Sequence, residues 1–89
     1  MQTISFTGKD GIWTSSPIQL LGGDIAVRVE MSRPGRVEVW RSVTGEKYVK
    51  DGSFGSDGEG IAETNISGGV SGQFIKLQAF SEVLTAGYI

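Results

Sequence analysis

The chain has no cysteine, no histidine and only two prolines. Without Cys there is no disulfide, thiol nucleophile, thiolate zinc site or iron–sulfur cluster. Without His there is no Ser-His-Asp triad and no imidazole base or metal ligand. No stretch approaches the roughly 18 apolar residues of a membrane-spanning helix, so no membrane partner is expected. The opening Met1-Gln2-Thr3-Ile4-Ser5-Phe6-Thr7 lacks the basic n-region and apolar h-region of a secretory signal. Synthesis in a cytoplasm is therefore expected. A basic surplus is missing too: eight Lys and Arg stand against ten Asp and Glu, a net charge of −2. Nucleic-acid modules displace counterions from phosphates with positive charge, so no nucleic-acid partner is expected.

What is present is glycine, 14 of 89 residues, and more Ile and Val than Leu. Branching at Cβ stiffens χ1 and suits a pleated surface, and glycine supplies tight turns. The chain therefore reads as all-β. Its length predicts one domain, residues 1–89, with a radius of gyration of about 12 Å. That is too little wall for a deep catalytic cleft. With 38% hydrophobic residues and no staple, the core is thin, and oligomerisation is a usual remedy.

Period-2 alternation recurs along the chain, with no clean helical period. Ile4 and Phe6 share a face. Gly8 to Gly11 reads as a turn. Ile12 to Leu21 reads as a strand broken at Pro17, which suits an edge or a bulge. Asp24 to Met31 is the cleanest strand, with Ile25, Val27, Val29 and Met31 on one face. Ser32-Arg33-Pro34-Gly35 reads as a turn leading into a strand from Arg36 to Val43. Thr44 to Glu46 then turns into a strand from Lys47 to Lys50. Asp51 to Gly60 reads as a Gly-rich acidic loop, Ile61 to Ile66 as a strand, and Ser67 to Gly72 as a hairpin connection. Gln73 to Phe80 and Val83 to Ile89 complete about eight short strands. Their spacing predicts an antiparallel β-sandwich.

Register picks out candidate surface residues. Pairing Asp24–Met31 with Arg36–Val43 as a hairpin sets Met31 opposite Val37, Arg28 opposite Trp40 and Glu30 opposite Glu38. Placing Val43 and Val49 on the core face with Val37 and Val39 across the next turn sets Lys50 opposite Trp40 and Tyr48 opposite Ser42. The outer face then carries Trp40 and Tyr48 between Arg28 and Lys50, with Trp13 a further aromatic. Such a set either stacks a sugar, anchors a protein partner, or packs under a loop. On the strand Gln73–Phe80, Ile75, Leu77 and Ala79 face the core, while Phe74, Lys76, Gln78 and Phe80 face outward. Phe74 and Phe80 there call for a cover, from another subunit or from the chain itself.

Three weaker motifs carry little chemistry. An EF-hand frame from Asp51 places Ala62 at position 12 and Ser56 at position 6, so it lacks the bidentate Glu and the turn Gly. That leaves Asp51, Asp57 and Glu59 as the only cation ligands on offer, and no cofactor or metal is expected. Ser67 to Gly72 lacks the Lys-Ser/Thr of a phosphate loop. Asn65-Ile66-Ser67 matches a glycosylation acceptor with no secretion signal to go with it. Catalysis would rest on Asp/Glu pairs, Lys or Tyr with no cleft to position them, so no enzyme is expected.

Three stretches carry a resemblance: Ile4 to Gly8 with Trp13 to Leu20; Val39 to Gly45; and Asn65 to Gly68 with Gly72 to Leu77 and Val83 to Ile89. Together they look like the small β-sandwich or jelly-roll proteins of tailed bacteriophage virions. The resemblance implies a jelly-roll-like fold and a capsid decoration, head-fibre or tail-associated role on the virion. It also implies partners among other virion proteins and copies of itself, a trimer being favoured. Phe74, Phe80 and Trp40 are then the expected interface anchors. The alternatives are a glycan-binding module using Trp40 and Tyr48, and a small phage-encoded inhibitor or host-factor binding protein.

Overall fold

The computed structural model describes residues 1–68 and 71–89. Ten strands form among these: β1 (Gln2–Thr3), β2 (Phe6–Lys9), β3 (Ile12–Ser15), β4 (Ile18–Gln19), β5 (Ile25–Met31), β6 (Arg36–Ser42), β7 (Val49–Gly55), β8 (Ile61–Ile66), β9 (Phe74–Ala79) and β10 (Val83–Tyr88). No helix is long and apolar enough to cross a membrane among the described residues.

The strands lie in two sheets, β1-β10-β5-β8 and β2-β3-β9-β6-β7, with β4 also pairing β9. Pairing is nested about the β6–β7 turn. β6 pairs β7, β5 pairs β8, β3 and β4 pair β9, and β1 pairs β10, all antiparallel. Two further ladders, β10 with β5 and β6 with β9, close the roll. With β2–β4 taken as one folded-back and broken strand, this is the eight-position jelly roll. The expected class is therefore correct, with ten strands instead of eight.

Local chemistry explains the breaks. Asp10 and Gly11 both adopt positive φ (54° and 79°) between the paired residues Lys9 and Ile12. That is the two-residue hairpin turn whose twist matches its strands. Pro17 divides β3 from β4, as its ring and missing N–H require. The amide of Leu77, opposite this break, donates to the buried Ser15 Oγ at 2.8 Å.

Ile75, Leu77 and Ala79 of β9 are fully buried, as are Val29 of β5, Val37 of β6 and Leu20. They meet Val27, Met31, Val39, Ala62 and Ile66 between the sheets. Each large aliphatic side chain so buried contributes about 1.5–3 kcal/mol.

Four sequence readings are corrected. β5 and β6 are not a hairpin: residues 32–35 carry the chain from one sheet to the other. The arch is tied by Ser32 N donating to Glu82 O and by Gly35 N donating to Ser56 Oγ, both 2.9 Å. A turn signal between two half-buried strands fits an arch and a hairpin equally, because period-2 burial reports the buried face and not the neighbour. In consequence Glu30 lies between Thr85 and Ile61, and Glu38 between Gln78 and Ser53. Third, Asp51 to Gly55 is not loop but most of β7. Fourth, Ser67 to Gly72 joins β8 to β9, which lie in different sheets, so it is no hairpin connection. Gly69 and Val70 at its centre lie outside the described residues.

Candidate functional site

The outer face of the six-stranded sheet is built by β9 and β6 and flanked by β3 and β7. Thr14, Gln78 and Glu38 form one cross-strand row, and Lys76, Trp40 and Lys50 the next. Lys50 reaches this face through a bulge. Val39 pairs Gly52 and Trp40 pairs Lys50, so Asp51 is the extra residue. Were the same chain unbulged, strict alternation from the inward Phe54 would turn Lys50 inward. The bulged Asp51 accepts from Arg41 Nε at 3.1 Å, and Arg41 also donates to Ser67 O at 3.0 Å.

Glu38 is only 7% exposed. It is held by Lys50 Nζ at 2.9 Å and Arg36 Nη2 at 3.2 Å. The Lys50 hydrogen bond, and then the charges of Lys50 and Arg36, keep its carboxyl below the usual range, although burial opposes them. Beside this cluster, Tyr48 arrives from the β6–β7 connection. Lys76 Nζ lies over its ring, 4.7 Å from the centroid. A depression of about 310 Å³ opens between Thr14, Trp40, Tyr48, Lys76 and Gln78.

Trp40 Nε1 and Tyr48 OH are shielded from solvent and have no hydrogen-bond partner. They are the only such buried side-chain atoms among the described residues. Each donor left this way costs about 1–3 kcal/mol.

The structure thus brings together Trp40, Tyr48 and Lys50 as the sequence predicts. Arg28 is the correction. It belongs to β5 in the other sheet, between Gly87 and Glu63, because the β5–β6 hairpin that set it opposite Trp40 does not exist. Arg28 instead borders a larger depression of about 600 Å³ along β1 and β10. That depression has no other charged side chain and no aromatic but Phe6. Trp13 packs against the core and over Gly8, where a Cβ would stand 2.7 Å from the indole, so it is no part of the Trp40 face. Phe74 is covered by its own chain: a Cβ on Gly45, which has φ +90°, would stand 3.1 Å from its ring. Phe80 is partly exposed, with the Arg36 guanidinium 5.1 Å above it.

Lys76, Gln78 and Thr14 are the site residues that sequence reasoning left unassigned. The outward alternation of β9 marks Lys76 and Gln78. Nothing local marks β9 as the neighbour of Trp40.

Two of the three carboxylates on Asp51–Gly60, Asp51 and Asp57, are otherwise engaged. Asp51 pairs with Arg41. Asp57 Oδ1 accepts from the amides of Glu59 at 2.8 Å and Ile61 at 3.0 Å. Those amides hold its carboxyl below the usual range.

A second surface lies at one end of the sandwich. β4 and β6 both end opposite Phe74, and β7 starts opposite Arg41. Leu21, Val43 and Val49 therefore lie at one end, exposed at 80%, 74% and 65%. This corrects the core-facing placement of Val43 and Val49, which stand beyond or at the ends of β6 and β7, where the opposite sheet no longer covers them. Met1 and Ile89 are also exposed there.

No protein-family model matches the chain, and comparison with curated proteins and with solved structures returns no significant match.

Proposed function

We propose that this protein is a non-enzymatic structural module that assembles with itself, as a trimer, on the particle of a tailed phage. Its partners there are other virion proteins. The observation that carries the reading is the exposure of Leu21, Val43 and Val49 at one end of the roll. Apolar side chains concentrated on one part of a small stapleless domain favour burial against another chain.

Two of the edge strands favour the same choice of surface. β1 is two residues long, and β7 is bulged and carries Lys50, Asp51 and two glycines. Short, bulged, charged edges resist strand addition, which leaves the side chains at the end of the sandwich as the proposed contact. The phage setting rests on the sequence resemblance, and the jelly roll is compatible with it.

The non-enzymatic reading rests on the sequence, which offers no histidine or cysteine for acid–base or nucleophilic work.

Charge substitution tests the reading. Leu21→Glu with Val43→Glu changes no buried side chain, so the fold is expected to persist with an unchanged far-ultraviolet spectrum. The oligomer is expected to fall to monomer on size exclusion with light scattering. An unchanged oligomer in that double variant rejects this end as the interface.

A further inference from the structure

We propose that the depression between Trp40, Tyr48 and Lys76 is a binding site for an acidic saccharide, a sugar ring carrying a carboxylate. The site goes beyond self-assembly and lies on a different surface from Leu21, Val43 and Val49.

Its lining supplies two aromatic rings and a rim of donors. Trp40 and Tyr48 offer apolar ring faces, on which the C–H face of a pyranose packs. Around them stand the Lys76 ammonium, the Gln78 amide and the Thr14 hydroxyl. The Trp40 N–H and Tyr48 O–H have no acceptor in the protein but are closed off from solvent, so the donors open to a ligand are those of Lys76, Gln78 and Thr14. No carboxylate lines the depression. The nearby Glu38 is taken by Lys50 and Arg36. Lys76 makes no ion pair among the described residues and rests on the Tyr48 ring. The site therefore lacks acceptors and one negative charge, and its complement brings both.

The charge count and the shape choose among ligands. A nucleotide phosphate calls for two or more cations, whereas a single ammonium matches a single carboxylate. A simple aromatic acid would satisfy Lys76 and leave the hydroxyl and amide donors idle. A uronic or sialic acid brings a carboxylate, several hydroxyl oxygens and an apolar ring face together. At about 310 Å³ the depression is at the small end of ligand sites, which run from about 300 to 1,000 Å³. That suits a terminal or single sugar unit. In binding, the flexible Lys76 swings from the Tyr48 ring to the carboxylate, and the sugar takes its place on the ring.

The test is titration of the full chain, followed by the indole N–H resonances in 15N-resolved spectra. The probes are tri-galacturonate, glucuronate and a sialyl-lactose, each beside its neutral counterpart. The Trp40 resonance is assigned by its loss in Trp40→Phe. At least one acidic sugar is expected to shift Trp40 and leave Trp13 in place, with its neutral counterpart binding about tenfold or more weaker. Lys76→Gln is expected to remove that preference, whereas Lys9→Gln on the β2–β3 turn keeps it. Gln78→Ala is expected to weaken the acidic sugar and serves if Lys76→Gln fails to fold. Four results would overturn the proposal. These are no shift with any acidic sugar, equal binding of acidic and neutral forms, the same Trp40 shift from acetate or inorganic phosphate alone, and a shift confined to Trp13.

Discussion

The amide of Leu77 is the clearest case of a single residue repairing the fold. The β3–β4 break at Pro17 removes a ladder acceptor, and Ser15 Oγ replaces it in the core. Ser15→Ala leaves that buried amide unpaired and is expected to cost about 1–3 kcal/mol, read from urea unfolding. Leu77→Ala on the same strand is expected to cost about 2–5 kcal/mol, because it opens a cavity at a fully buried site. Two glycines give a sharper contrast. A Cβ at Gly60, where φ is +88°, would stand 2.5 Å from Met31 O, whereas at Gly52 nothing lies within 4 Å. Gly60→Ala is therefore expected to lower the thermal midpoint clearly and Gly52→Ala to leave it nearly unchanged.

Acid reports on the two perturbed carboxyls. Glu38 and Asp57 both have folded-state pKa values below their unfolded ones. Their stabilisation is therefore full above the ordinary carboxylate range and lost as pH falls through the folded values. Stability measured by urea at successive pH values is expected to drop on that acidic side. Asp57→Asn is expected to make the drop shallower, and an equally steep drop in that variant contradicts the assignment.

At the scale of elements, the Asp51 bulge decides which side chains share a face. Deleting Asp51 removes the extra residue, so the ladder becomes regular with Gly52 still opposite Val39 and Lys50 still opposite Trp40. Lys50 stays outward beside Glu38 and Phe54 stays inward, and the Arg41–Asp51 ion pair is lost. The deletion is expected to keep the fold and to leave the Trp40 indole resonance near its native position. Unfolding of that variant, or a large shift of the Trp40 resonance, would show that the bulge does more than absorb one residue.

The same element shows what was legible in sequence. Counting back from Val49 places Lys50 beside Trp40 correctly, because those residues lie on the near side of the bulge. Counting through Asp51 fails, since one inserted residue reverses every later side chain, and Gly52 and Gly55 disguise a strand as loop. The spans of β5, β8, β9 and β10 are readable because each alternates without interruption. Their partners are not readable. Trp40 meets Lys76 across 36 residues of chain, and alternation is silent on which strand lies alongside. Arg28 was misplaced and Lys76 left unassigned for the same reason.

For the whole molecule, the question is how a roll of short strands with no disulfide holds together. The sandwich buries its aliphatics from β5, β6 and β9 well, with a Cα radius of gyration of 12.1 Å. It covers Phe74 with its own turn and caps Phe80 with Arg36. Of the apolar side chains left exposed, Leu21, Val43 and Val49 gather with Met1 and Ile89 at one end, while Leu84 and Ile12 lie elsewhere. In the proposed assembly other copies cover that end. Sedimentation velocity of the unmodified chain across a dilution series tests that most directly. A closed oligomer, three chains in mass, is expected at tens of micromolar, dissociating on dilution. A single monomeric species at every concentration in that series would contradict it.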